Sequence, residues 1–242
     1  MNARHSLKRD PYVTAGAALA LALFLAAALG PWLYTRSPYE TNLDVRLSPP
    51  AGGNPLGADE LGRDVASRLL HGARASLTIG FSVTFAAAAV GTLLGAACAF
   101  AGGRPDQILM RVVDVLMAFP GILLVIALAA ALGPGLTHVA FILILTGWVG
   151  YARLARAQVL RLKELEFCES ARSAGAAPSR VLLRHVLPNA LSPIVVQAAF
   201  GVASVIMAES ALSFLGLGVA PPNPSWGEML SSAREHMAHA PH

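Results

Sequence analysis

Charge is what this chain has least of. Only 13% of its 242 residues are Asp, Glu, Lys or Arg, against about 25% in soluble domains. None of the four occurs at 11–35, 75–103, 115–152 or 185–208. Such windows exclude an ordinary soluble domain, whose buried helices would still need amphipathic stripes and charged outer faces. Cysteine is almost missing: Cys98 lies in an apolar run and Cys168 in a polar loop, which excludes a disulfide framework. No Cys/His spacing of the zinc type occurs, and His236, His239 and His242, three residues apart, read as a solvated tail. The only lysines, Lys8 and Lys163, do not follow glycine, so a Gly-x-x-x-x-Gly-Lys-Ser/Thr phosphate loop is absent. So is a Gly-x-Ser-x-Gly nucleophile elbow. These absences leave no catalytic residue, no metal site and no cofactor in the chain. Any work it performs draws energy from another subunit or from an ion gradient.

What fills the charge-free windows is 55% hydrophobic sequence. A bilayer core of about 30 Å takes about 20 helical residues to cross. The windows predict an all-α polytopic membrane protein with five spans, near 13–34, 77–101, 112–132, 136–152 and 191–215, with Leu132-Gly133-Pro134-Gly135 as the turn between the third and fourth. The first span is too long for a signal peptide, and Leu-Gly-Pro-Trp-Leu-Tyr is a poor cleavage site. Pro31, Trp32 and Tyr34 read instead as the interfacial end of a retained helix. With the N-terminus inside, the inner segments hold twelve basic residues: Arg4, Lys8, Arg9, Arg104, Arg111, Arg153, Arg156, Arg161, Lys163, Arg172, Arg180 and Arg184. The outer ones hold six: Arg36, Arg46, Arg63, Arg68, Arg74 and Arg234. That asymmetry predicts a cytoplasmic N-terminus. It also explains the net charge of +4 without a nucleic-acid partner. The expected organisation is a cytoplasmic N-terminus (1–12), a first transmembrane helix (13–34), an external loop with an amphipathic segment (35–76), a core (77–215) with a cytoplasmic loop (153–190), and an external C-terminal segment (216–242).

Three polar blocks interrupt the apolar sequence. In the first, the fourth span is expected to continue as a helix to Leu165, with Arg153, Arg156, Arg161 and Lys163 facing solvent and headgroups. Glu166 to Arg172 reads as a short helix with small side chains, ended by Gly175 in a left-handed cap. Pro178 opens a second helix, Ser179 to Val186, that ends against Pro188. The result is a helix–glycine turn–helix knob; an amphipathic connector on the membrane surface would share these features. The second block, Asn54 to Asp64 with Ser67-Arg68, has nearly cancelling charges and reads as local salt bridges leading into an amphipathic helix. The third combines Glu209-Ser210-Ala211-Leu212-Ser213-Phe214-Leu215-Gly216-Leu217-Gly218 with Pro221, Pro222 and Ser225-Trp226-Gly227. Glu209 is a carboxylate within a span, a functional candidate by default. With no second intramembrane acid to continue a proton relay, it reads as a structural carboxylate, hydrogen-bonded to a neighbouring helix or facing a water-filled pathway. Gly91-x-x-x-Gly95 permits close helix packing.

The order Glu169, Ala171, Gly175, then nine residues, then His185-Val186-Leu187-Pro188 resembles the coupling loop of ATP-binding-cassette (ABC) importer permeases. That pattern is Glu-Ala-Ala, three residues, Gly, nine residues, apolar-x-Leu-Pro. Ser170 replaces the first Ala, and His185 takes the usual apolar position, where Val186 can supply the contact. Leu56-Gly57-Ala58-Asp59, Gly62-Arg63-Asp64 and Ser67-Arg68 are similar to a signature of the dipeptide, oligopeptide and nickel branch, with Ala58 where Thr is usual. Arg111-Val112-Val113-Asp114 with Pro120, and the block from Glu209, match that branch too. The resemblance implies a type I importer transmembrane domain of six spans, of which five are read here, and a C-terminal segment that is truncated. It implies an inner-membrane permease for peptides or related solutes such as glutathione or nickel chelates. The implied partners are a second permease, two ATP-binding subunits that carry ATP and Mg, an external solute-binding protein and the lipid bilayer. Glu169, Ala171, Gly175, Leu187 and Pro188 are the implied ATPase-coupling residues. Gly57, Asp59, Gly62, Arg63, Asp64, Arg111, Asp114 and Glu209 carry the family signature. The alternative from a different class is an ion-coupled carrier or a membrane scaffold acting without an ATPase.

Overall fold

The computed structural model describes residues 11–242; the segment 1–10, with Arg4, Lys8 and Arg9, lies outside them. Among the described residues the regular structure is helical, apart from two isolated bridges in the loop after the first helix. Among the described residues, four helices are long and apolar enough to cross a membrane, and a bent pair makes a fifth candidate. The chain divides into two compact units: residues up to Thr78 together with Ser213–His242, and Ile79–Leu212.

In the first unit, α1 (Pro11–Leu33) is built from Ala and Leu, which lose little side-chain entropy in a helix. Only Ala27 and Gly30 of it are buried, the pattern of a helix whose surroundings are apolar on all sides. Helix α2 (Val65–Ala101) begins in this unit and is capped by Asp64, whose Oδ1 accepts from the Ser67 amide at 2.7 Å. The expected external amphipathic helix is therefore continuous with the second span, giving a helix of 37 residues, about 55 Å at 1.5 Å per residue. The last helix of the chain is described below as α9.

In the second unit, α3 (Gly103–Ala118) and α4 (Gly121–Leu132) replace the single third span expected at 112–132, and their axes meet at 87°. Pro120 is the physical cause. A proline ring pushes the preceding residue out of the helical region, and Phe119 is extended at φ −85, ψ 139. Helix α4 has 12 residues, about 18 Å, too short to cross alone. The expected turn follows, with Gly133 at φ +81 and Gly135 at φ +147. Helix α5 (Leu136–Leu162) ends three residues earlier than expected. Then come α6 (Glu166–Ser173), α7 (Pro178–Val181) and α8 (Leu187–Phe214).

The second knob helix does not end at Pro188. A π-type turn, Leu182–Val186, joins α7 to α8 without interruption. Its wider ring is closed by the Leu187 amide donating to the Leu182 carbonyl. This local widening makes room for a proline, which lacks an amide and would collide with the carbonyl four residues back in a regular helix.

Candidate functional site

The knob is shaped by its termini. Glu166 and Glu169 sit in the first turn of α6 and Arg172 in the last, each at the favourable end of the helix dipole. Beyond Ala174, Gly175 takes φ +80, its amide donates to the Arg172 carbonyl (2.9 Å), and the Ala176 amide reaches the Ala171 carbonyl (3.1 Å). These paired bonds form a Schellman cap, which needs a residue at positive φ and so favours glycine. Ala171 and Ala176, the apolar partners of the cap, both pack on the cluster beneath. Pro178 opens α7, as the sequence predicts.

That cluster roots the knob on three long helices. Ala96 and Ala99 of α2, Val159 and Leu162 of α5, Cys168 of α6, Val181 of α7, Val186 and Ala190 are all buried in it. Burial pushes the Cys168 thiol up from its ordinary value, with Arg172 opposing. Val186 is fully buried, supplying the apolar contact that His185 does not. Of the expected coupling residues, Glu169, Gly175 and Pro188 are exposed, whereas Ala171 and Leu187 are half-buried against the cluster. Phe167 and Leu183, missed by pattern matching, add apolar surface to the exposed face.

The expected solvent-facing row on α5 is corrected in part. Arg153 and Arg161 are exposed. Arg156 is bonded in bidentate fashion to Asp106 of α3, Nε–Oδ1 2.6 Å and Nη2–Oδ2 2.7 Å. Lys163 Nζ donates to the Ala99 carbonyl at the end of α2 (3.3 Å). Sequence spacing gave no sign of either contact, since the partners lie 50 and 64 residues apart. Arg111 and Asp114 are exposed on α3, while Glu209 is fully buried on α8.

In the first unit, the residues around Asp59 converge. Asp59 Oδ1 accepts from the Leu61 and Arg63 amides (both 2.9 Å), and Oδ2 meets Arg63 Nε at 2.6 Å and Arg68 Nε at 3.3 Å. Arg63 also reaches Glu60 (2.9 Å). Gly62 turns the loop at φ +71, where a side chain would run into Asn42. Asp64, besides capping α2, accepts from the Tyr34 hydroxyl (3.0 Å) and lies 3.7 Å from Arg36. The Gly57 carbonyl accepts from the Val65 amide. The sequence misses the main closure: Arg68, 1% exposed, pairs with Glu228 at 2.5 Å. Glu228 lies on α9 (Trp226–Ala233), capped by Ser225. This ionic cluster borders a largely apolar cavity of about 540 Å³, whose walls include Leu47, Val65, Leu69, Met229 and Leu230.

The described residues thus form a polytopic helical protein with several membrane-spanning candidates and an exposed helix–glycine–helix knob. Residues 91–238 match the family described as the binding-protein-dependent transport system inner membrane component, and 2–50 match the N-terminal TM domain of oligopeptide transport permease C. The chain belongs to this family of ABC importer permeases and is a multi-pass inner-membrane transport subunit, with ATP hydrolysis on separate subunits in the family. A putative peptide transport system permease of Brucella suis is 41% identical over 240 residues, 99% of this chain and 80% of the relative. A dipeptide transport system permease of Bacillus subtilis is 40% identical, covering 92% and 70%. A glutathione transport system permease of Pectobacterium atrosepticum is 41% identical, covering 99% and 79%. Membership of the family sets aside the carrier and scaffold alternative.

Proposed function

We propose that this subunit imports short peptides or related small solutes, lining the pathway together with a second permease. An external solute-binding protein delivers the cargo, and two ATP-binding subunits that carry ATP and Mg dock on the segment 166–188. The N-terminus and the loop 153–190 face the cytoplasm, and 35–76 and 216–242 face outward, in keeping with the asymmetry of basic residues. The substrate class rests on the relatives, named for peptide, dipeptide and glutathione transport.

The observation that carries the coupling reading is the knob: a rigidly capped protrusion whose exposed face holds Glu169, Gly175 and Pro188 and whose base is rooted on α2, α5 and α8. Glu169 offers a carboxylate to a basic residue of the ATPase, and the bare backbone at Gly175 allows close approach. Closure of the ATPases on ATP then moves the knob as a rigid body. Asp59, Gly62, Arg63 and Asp64 hold the outer loop on α2, and Gly57 turns it.

Gly175→Asp tests this. Asp at φ +80 is strained and puts a charged side chain on the docking face. The variant is expected to insert normally but to lose import of labelled dialanine, trialanine or glutathione in vesicles containing the full transporter. Wild-type import by Gly175→Asp would refute the coupling role of this segment.

A further inference from the structure

The geometry points to Arg172 and Phe100 as positioning residues that lock the knob to the end of α2, so that knob movement passes into the α2–α5 helix pair. This rests on the coupling reading of 166–188 and adds the internal path of the force. The apolar cluster under the knob mixes small side chains, Ala96, Ala99, Cys168 and Ala190, with Val159, Leu162, Val181 and Val186. Apolar burial is non-directional, so the cluster holds the knob down without fixing the direction in which it pulls. Directional contacts close around it instead. Lys163 Nζ donates to the Ala99 carbonyl near the C-terminus of α2 (3.3 Å). The Lys163 carbonyl, just past α5, accepts from Arg172 Nη2 (3.2 Å). The Arg172 guanidinium, in the last turn of α6, lies 5.8 Å from the centroid of the Phe100 ring, one residue from Ala99. The contacts form a closed loop through the ends of α2, α5 and α6, in which cations satisfy carbonyls that helix ends leave without partners.

The receiving end is stiff. A Cβ on Gly91 would overlap the Trp148 carbonyl, and one on Gly95 the Ala152 carbonyl, so α2 and α5 touch backbone to backbone. A displacement delivered to Ala99 and Phe100 therefore moves two long helices together.

The test uses the complete transporter in proteoliposomes: this subunit, its partner permease, the ATPases and the binding protein. The readout is solute imported per ATP hydrolysed, using whichever of dialanine, trialanine and glutathione the wild type imports, with ATPase co-purification measured in parallel. Arg172→Met keeps the apolar stem and Phe100→Leu keeps the buried bulk. Phe100→Leu, outside the docking segment, is expected to retain ATPase binding and hydrolysis while the import-to-hydrolysis ratio falls about threefold to tenfold, the scale of one cation–π contact, and Arg172→Met to lower the ratio at least as far. Phe100→Tyr should keep the wild-type ratio, Arg172→Lys should recover part of it, and the double variant should be little worse than either single one. An unchanged ratio in Arg172→Met and Phe100→Leu overturns the inference. So does loss of ATPase binding confined to Arg172→Met, which would make Arg172 an outer docking residue. Wild-type import by Gly175→Asp defeats the coupling reading itself, whereas an uncoupled Gly175→Asp with an unchanged ratio in Arg172→Met defeats only the internal path.

Discussion

Arg68 is the residue on which the outer ionic cluster turns. It is buried to 1% exposure and meets Glu228 (2.5 Å), Asp59 (3.3 Å) and the Pro38 carbonyl (3.3 Å). Removing one partner of a buried pair leaves an uncompensated charge. Arg68→Met is therefore expected to destabilise the first unit by about 3 kcal/mol, read as a lower unfolding midpoint in detergent and faster proteolysis of the outer loop. The loss should depend on pH. Burial already pushes the Glu228 carboxyl above its ordinary value, with Arg68 the main opposing influence. A carboxyl whose folded value lies above its unfolded one is stabilised by its proton, so stability is highest in acid and falls as pH rises through the raised value. Arg68→Met removes the opposition, and its deficit should shrink as the pH is lowered from neutral. A pH-independent deficit would show that Glu228 does not bear the cost. The Asp59–Arg63 pair was legible in the sequence because its partners are four residues apart, the reach of a local turn. The Arg68–Glu228 pair, 160 residues apart, was not, since charge counting alone cannot choose among distant carboxylates.

At the scale of elements, legibility followed local stereochemistry. The Gly133–Gly135 turn, the Gly175 cap and the Pro178 helix start were all readable, because glycine and proline act on their own backbone. The 87° bend was missed although Pro120 was in view, because hydropathy is blind to direction and 112–132 is apolar across the break. Continuity through Pro188 was missed for the opposite reason: the π-type turn absorbs the proline, and Val186 and Ala190 on either side of it are buried in a cluster with residues of α2 and α5. Gly91 and Gly95 were legible as a close-packing pair, and the structure supplies their partners on α5. Because the contact is with backbone, no rotamer change can relieve a larger side chain. Gly95→Val should force α2 and α5 apart and cost about 1–3 kcal/mol, the range for overpacking. The loss should be measured as a drop in thermal unfolding midpoint in detergent and compared with Ala97→Val, an exposed position on the same helix. Equal midpoints for the two variants would contradict the backbone contact.

At the scale of the whole molecule, the coupling reading depends on which side of the membrane each loop occupies. Hydropathy located the crossings but carries no sign; the sign comes from the basic residues, twelve in the segments placed inside against six outside. Six arginines lie in the segments placed outside. Three of them are engaged with neighbouring acids: Arg36 lies near Asp64, Arg63 pairs with Asp59 and Glu60, and Arg68 pairs with Glu228 and Asp59. In the segments placed inside, Arg161, Arg180 and Arg184 are exposed. The bend between α3 and α4 matters here as well. If the pair crosses once, the outer loop 35–76 and the knob lie on opposite faces; if it enters and leaves by the same face, they share one. Single cysteines at Ser179 on the knob and at Gly52 in the outer loop, both exposed, separate these cases once Cys98 and Cys168 are replaced by serine and alanine. A membrane-impermeant maleimide applied to intact cells should label Gly52→Cys and spare Ser179→Cys, which should react only after permeabilisation. Labelling of both in intact cells would place the knob outside, where no ATP-driven subunit could reach it.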